Sequence, residues 1–177
     1  MTSRASNPHS TIRLAAAVAL AGMLVFGSGV RARAQSEESG SDDGLQGTWR
    51  VQVTLVNCMT SAPLGPPFTS LLSFAFGGTA TASTSNPAFQ PGQRTAEHGI
   101  WKQTGQDTYA SVREALILFT TEPKPPLPGL PRGTQRITEA IQVEDDQSTS
   151  VASVQFFDAG GTLVRTGCAR AVGHRFK

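Results

Sequence analysis

The chain has 177 residues, of which fifteen are Lys or Arg, thirteen are Asp or Glu and 38% are hydrophobic. Its formal charge of +2 is uneven: Arg4, Arg13, Arg31 and Arg33 precede every acidic residue, and without them eleven basic groups face thirteen acidic ones, a net of −2. What remains lacks the basic footprint of a nucleic-acid binder, which excludes that class.

The N-terminus reads as an export leader. Arg4 and Arg13 flank a positive start, Leu14 to Phe26 is an apolar run, and Ala32-Arg33-Ala34 is a small-x-small cleavage site. Cleavage is expected near Ala34-Gln35, making 1–34 a signal peptide. The apolar run is shorter than the roughly 20 residues that span a bilayer, so no integral span is expected in the mature chain. No Cys lies near the cut for a lipid anchor, and the two arginines are not adjacent, unlike a twin-arginine signal. Gln35 to Gly44 is polar, cannot bury apolar area and is expected to be a disordered linker. Residues 45–177 then form one domain, secreted or periplasmic.

From Leu45 onward, short strands alternate with turn clusters. Thr48 to Cys58 places Trp49, Val51, Val53 and Leu55 on one face and Arg50, Gln52 and Thr54 on the other. Ser61-Ala-Pro-Leu-Gly-Pro-Pro67 ends it. Thr69 to Thr84 carries Leu72, Phe74 and Phe76, broken at Gly77-Gly78 by a bend, a bulge or a hairpin turn. Asn86 to Gln93 is a loop. Glu97 to Gln103 holds Trp101, Gly105-Gln-Asp107 turns, and Thr108 to Thr120 returns as a strand. Within it, Ser111 to Phe119 has a helical rival because Ala, Leu and Glu are good helix formers. Glu122 to Gly133, with five prolines, is a second long loop. Three strands complete the chain: Thr134 to Glu144, with Ile137, Ile141 and Val143 on one face; Thr149 to Phe157; and Thr162 to Val172. Asp158-Ala-Gly-Gly161 joins the last two.

Seven or eight strands with turns between them predict an all-β, antiparallel up-and-down barrel, with a β-sandwich as the alternative. The two cysteines favour the barrel. Cys58 ends the first strand and Cys168 lies in the last, so their pairing staples the neighbours that a closed barrel brings together. Cys58 has the opposite parity to Trp49, which a bridge on the outer wall or a bulge before it would explain.

Gly47-Thr-Trp49, opening the first strand, resembles the calycin superfamily and its lipocalins in particular, whose first strand begins Gly-x-Trp. The resemblance implies that Gly47 allows close backbone approach and that Trp49 plugs the closed end of the barrel. It further implies an arginine near the last strand stacked on that tryptophan, for which Arg165 or Arg170 is available. The lipocalin Thr-Asp-Tyr is missing, and Gly99-Ile-Trp101 repeats the Gly-x-Trp pattern. The strand pattern is also similar to the small barrels of allene oxide cyclase and dirigent type.

Catalytic residues are few. His98 and Glu97 are adjacent and should point to opposite faces, and His174 lies in the C-terminal tail. Neither sits in a zinc-ligand array, and no Gly-x-Ser-x-Gly elbow or phosphate loop occurs. No metal and no cofactor are expected. Tyr109, Arg113, Glu114, Arg136 and Glu139 fall in wall strands, facing either solvent or the interior. One or two of them inside with Phe74 and Trp101 would make an apolar cup with a polar anchor. The candidate pocket residues are therefore Phe74, Trp101, Tyr109, Glu114 and Arg136. The leading expectation is a barrel that binds a small apolar ligand. The alternatives are an interaction module acting through the proline-rich loops Pro87 to Gln93 and Pro123 to Pro131, and an isomerase or cyclase with Tyr109 or Glu114 as acid–base groups.

Overall fold

A computed structural model describes residues 44–123 and 129–177. The expected signal peptide, all of the polar linker but Gly44, and the centre of the second proline-rich loop lie outside the described residues.

The chain is all-β: a closed antiparallel barrel of eight strands in sequence order. These are β1 (Gly47–Val56), β2 (Phe68–Phe74), β3 (Thr79–Thr84), β4 (Glu97–Gln103), β5 (Thr108–Ile117), β6 (Gly133–Glu144), β7 (Gln147–Asp158) and β8 (Leu163–Arg175). The barrel, not the sandwich, is the architecture. β1 bonds to β2 on one side and to β8 on the other, which leaves no free edge.

The open readings of the sequence resolve individually. Gly77-Gly78 is the turn of a hairpin between β2 and β3: both glycines have positive φ, 85° and 88°, a conformation side chains disfavour. Ser111 to Ile117 is strand, because alternate residues are buried on one face and a helix would expose half of them. The last strand runs past Val172 to Arg175, pairing Trp49 with Arg175.

The cysteines are bridged, with Cα atoms 5.2 Å apart across a separation of 110 residues. Cys58 lies just beyond β1, and Cys168, opposite Val56, shares the outward parity of Arg170 and Val172. The bridge is thus on the outer wall, which accounts for its parity. Closing so long a loop is worth about 4.7 kcal/mol in the chain-entropy account. Replacing Cys58 with Ser should cost about 2–5 kcal/mol in urea unfolding. A loss below about 1 kcal/mol would contradict a stapling role.

The two ends of the barrel differ. At one end the connections are the tight turns 75–78, 104–107 and 145–146; at the other they are the long segments 57–67, 85–96 and 118–132, together with the short turn 159–162. The tight-turn end is closed by Trp49, which is fully buried among Leu45, Leu72, Phe74, Tyr109, Ile141 and Val143. Its indole N–H donates to the Leu45 carbonyl (3.0 Å), and the Arg175 guanidinium lies 4.4 Å over its ring. Arg175 also donates to the carbonyls of Gly44 and Gln46, tying the entering chain to the end of β8. Gly47, at φ 111°, leaves room for this: a Cβ there would stand 3.2 Å from the Arg175 Nη1. The arginine on the tryptophan is therefore neither Arg165 nor Arg170. Arg170 faces outward and donates to the Ser61 carbonyl (2.7 Å), while Arg165 sits near the other end, against Phe156 and the Gly129 carbonyl.

Candidate functional site

Inward-facing positions change character along the barrel axis. Next to the Trp49 plug they are apolar apart from Arg175 and Ser148. Beyond it, β4, β5 and β6 turn charged side chains inward, while β1, β2, β7 and β8 line the cavity with Val, Leu, Phe and Ala apart from Ser70 and Ser150. Where these two walls face each other the barrel holds a cavity of about 60 Å³. Val53, Leu55, Phe68, Ala152 and Val154 line its apolar side; Arg94, Glu97, Arg113, Gln135, Glu139 and Ser150 line the polar side.

The polar side is one connected network. Arg94, just before β4, donates from Nε to Gln135 Oε1 (2.5 Å) and from Nη2 to Glu97 Oε1 (2.6 Å). Arg113 reaches Glu97 Oε2 from Nε (2.8 Å) and Glu139 Oε2 from Nη1 (2.7 Å), and also donates to Ser111 Oγ. Ser150 donates to Glu139 Oε1 (2.5 Å). The four charged side chains are each 4–6% exposed. Two cations and two anions balance, which buried charges require, since an unpaired one would cost several kcal/mol.

Burial alone would raise the Glu97 pKa; the guanidinium charges of Arg113 and Arg94 and their hydrogen bonds override it and hold the carboxyl below its ordinary value of 4.5. Burial would likewise lower the Arg113 pKa, but Glu139 and Glu97 raise it above its ordinary value. Because the folded-state Glu97 pKa is depressed, its contribution to stability is complete above the unfolded value. It is lost as pH falls through the folded one. Stability should hold from neutrality to about pH 4.5 and then decline. Urea midpoints measured across this range check it; midpoints unchanged down to about pH 3 would contradict it.

The structure divides the five sequence-chosen pocket residues into two groups. Phe74, Trp101 and Tyr109 point inward and form an aromatic chain, with centroids 6.1 Å apart for Phe74–Trp101 and 5.8 Å for Trp101–Tyr109. They belong to the packed closed end, not to the cavity lining. Glu114 and Arg136 lie outside. They pair across β5 and β6 at 2.6 Å on the solvated wall, 44% and 46% exposed, because even-numbered positions of both strands face out. Tyr109 and Glu114, considered as acid–base groups, thus share no site. Gly47, Trp49, Cys58 and Cys168 occupy structural positions.

The sequence reading did not select Arg94, Glu97, Gln135 and Ser150, and left Arg113 and Glu139 between two faces. Parity held the signal. Glu97 shares its face with Trp101, Arg113 with Tyr109, and Glu139 with Ile137 and Ile141.

The first proline-rich loop and the described ends of the second lie at the open end. Gln93 is fully buried and binds the first loop to the segment that follows β5, donating from Nε2 to the Phe119 carbonyl and Thr121 Oγ1, both at 3.3 Å. Phe89, in the first loop, lines the cavity and lies 5.3 Å from the Arg94 guanidinium. Broader open depressions on the outer wall, of about 670 and 620 Å³, gather no buried charges. Among the described residues no group of His, Cys, Asp or Glu is placed to hold a metal ion, and no helix is long and apolar enough to cross a membrane.

No protein-family model matches this chain, and no curated protein matches it in sequence.

Proposed function

We propose that this protein is an exported, lipocalin-like barrel that binds a small, largely apolar molecule in its interior. The observation that carries this reading is the two-sided cavity. An apolar wall faces a compact set of buried polar groups, the composition by which ligand sites combine affinity with orientation. The Trp49–Arg175 stack at the closed end and the long loops at the other support a vessel with one mouth. The disulfide suits an oxidising compartment. With the leader sequence, it supports a secreted or periplasmic product cleaved near Ala34-Gln35.

The volume limits the ligand. About 60 Å³ is roughly two waters' share of the liquid, at about 30 Å³ each, well below the ~300–1,000 Å³ of pockets for drug-sized molecules. A ligand of more than a few heavy atoms must therefore displace the Phe89 loop at the mouth. Native mass spectrometry of protein purified from its own source tests the reading, with Ala152→Phe as a cavity-filling comparison. The expected result is a small-molecule adduct on the wild type that Ala152→Phe lacks. A bare wild-type chain, or an adduct unaffected by filling the cavity, would overturn it.

One observation favours a second reading, an envelope or extracellular interaction module. Met59, Leu64, Phe119 and Leu163, all at or beside the mouth, are exposed apolar side chains. A partner captured equally well by Ala152→Phe, with no adduct on either protein, would select this reading.

A further inference from the structure

We infer that the ligand of this cavity carries an uncharged hydrogen-bond acceptor, such as a ketone, ester or amide carbonyl, held by Arg113 Nη2 and Gln135 Nε2. This rests on the interior-binding reading above and specifies its chemistry.

The assignment follows from donors and charges. Arg113 uses Nε and Nη1 on Glu97, Glu139 and Ser111, but its Nη2 donates to no described residue. In Gln135, the Nε–H of Arg94 fixes which end of the amide is oxygen, and the remaining Nε2 has no partner among the described residues. Both side chains are more than nine-tenths buried and both line the cavity. No buried side-chain nitrogen or oxygen of the described residues is sealed off without a partner. The two N–H groups therefore meet the cavity space itself. Buried donors of this kind favour a ligand that accepts from them and penalise one that does not.

Charge selects the kind of acceptor. Arg94 and Arg113 are already balanced by Glu97 and Glu139, so a carboxylate would bring an uncompensated negative charge into the barrel, next to two glutamates. A carbonyl satisfies the donors without that cost. Ile137, the register partner of Arg113, lies on the cavity surface, and Val53 and Val154 provide apolar contact for the rest of the molecule.

Isothermal titration of the mature protein with 2-heptanone, heptanoate and heptane separates the possibilities. The expected order places 2-heptanone at least ~10-fold tighter than either of the others, since one satisfied hydrogen bond is worth about 1.4 kcal/mol or more here. Gln135→Glu keeps an acceptor for Arg94 and turns the free donor into a second carboxylate oxygen. It should weaken the preference for the ketone over heptane, because only Arg113 Nη2 then remains to donate. If heptanoate binds best, or if ketone and alkane bind equally, the inference fails while interior binding stands. If none of the three binds, the interior-binding reading fails with it. The wild-type ranking decides the matter even if Gln135→Glu does not fold.

Discussion

Arg113→Met is expected to lower stability by about 3–5 kcal/mol, the usual cost of removing one partner from a buried ion pair. Arg113 is the hub of the interior network, with Glu97 on one side and Glu139 on the other, and is 4% exposed. Methionine fills much of the volume but leaves Glu139 with only the Ser111 and Ser150 hydroxyls and Glu97 with Arg94 alone. The loss should therefore come from stranded charge, not from a hole. Adding Glu139→Gln to Arg113→Met restores charge balance with Arg94 and Glu97 and should recover part of it. The outer pair behaves differently: Glu114→Gln, half exposed beside Arg136, should change stability by less than about 1 kcal/mol. Urea unfolding of the four proteins checks both statements. An Arg113→Met loss no larger than that of Glu114→Gln would mean the interior charges are not coupled as drawn.

The second large effect lies at the closed end. Trp49→Ala should cost about 3–5 kcal/mol, as expected for deleting a fully buried large aromatic. Several contacts go together: the indole surface against Leu72 and Phe74, the hydrogen bond to Leu45, and the platform for Arg175. Trp49→Phe keeps much of the apolar surface and should lose less. Thermal or urea unfolding followed by circular dichroism measures both. A Trp49→Ala loss below about 1 kcal/mol would show that the barrel does not depend on its plug.

Much of the fold was legible because period-2 alternation is local. Glu97 to Gln103 was read with the bounds that β4 has, and the alternation in β1 gave its inward face directly. The cysteines added the one long-range fact needed, the adjacency of first and last strands. The arginine on Trp49 was not legible in the same way. Its identity depends on register between strands more than a hundred residues apart and on β8 continuing to Arg175. The candidate site was half legible. Extending the Ile137–Ile141–Val143 face through Glu139 marks a buried carboxylate, and the same step from Tyr109 marks Arg113. A single bulge inverts such an argument, and β7 does shift register at Phe156/Phe157. Glu114 and Arg136, chosen for charge type, follow the opposite parity. Arg94 precedes its strand, so no alternation pointed to it.

That the barrel interior is the binding site is tested most directly by a methyl-resolved NMR titration with 2-heptanone, which reports where a small molecule goes. Saturable shifts are expected at Val53, Leu55, Ile137 and Val154 inside, with Val112, Val151 and Val172 on the outer wall unmoved. Shifts confined to the outer-wall methyls, or none at all at saturating ketone, would contradict it.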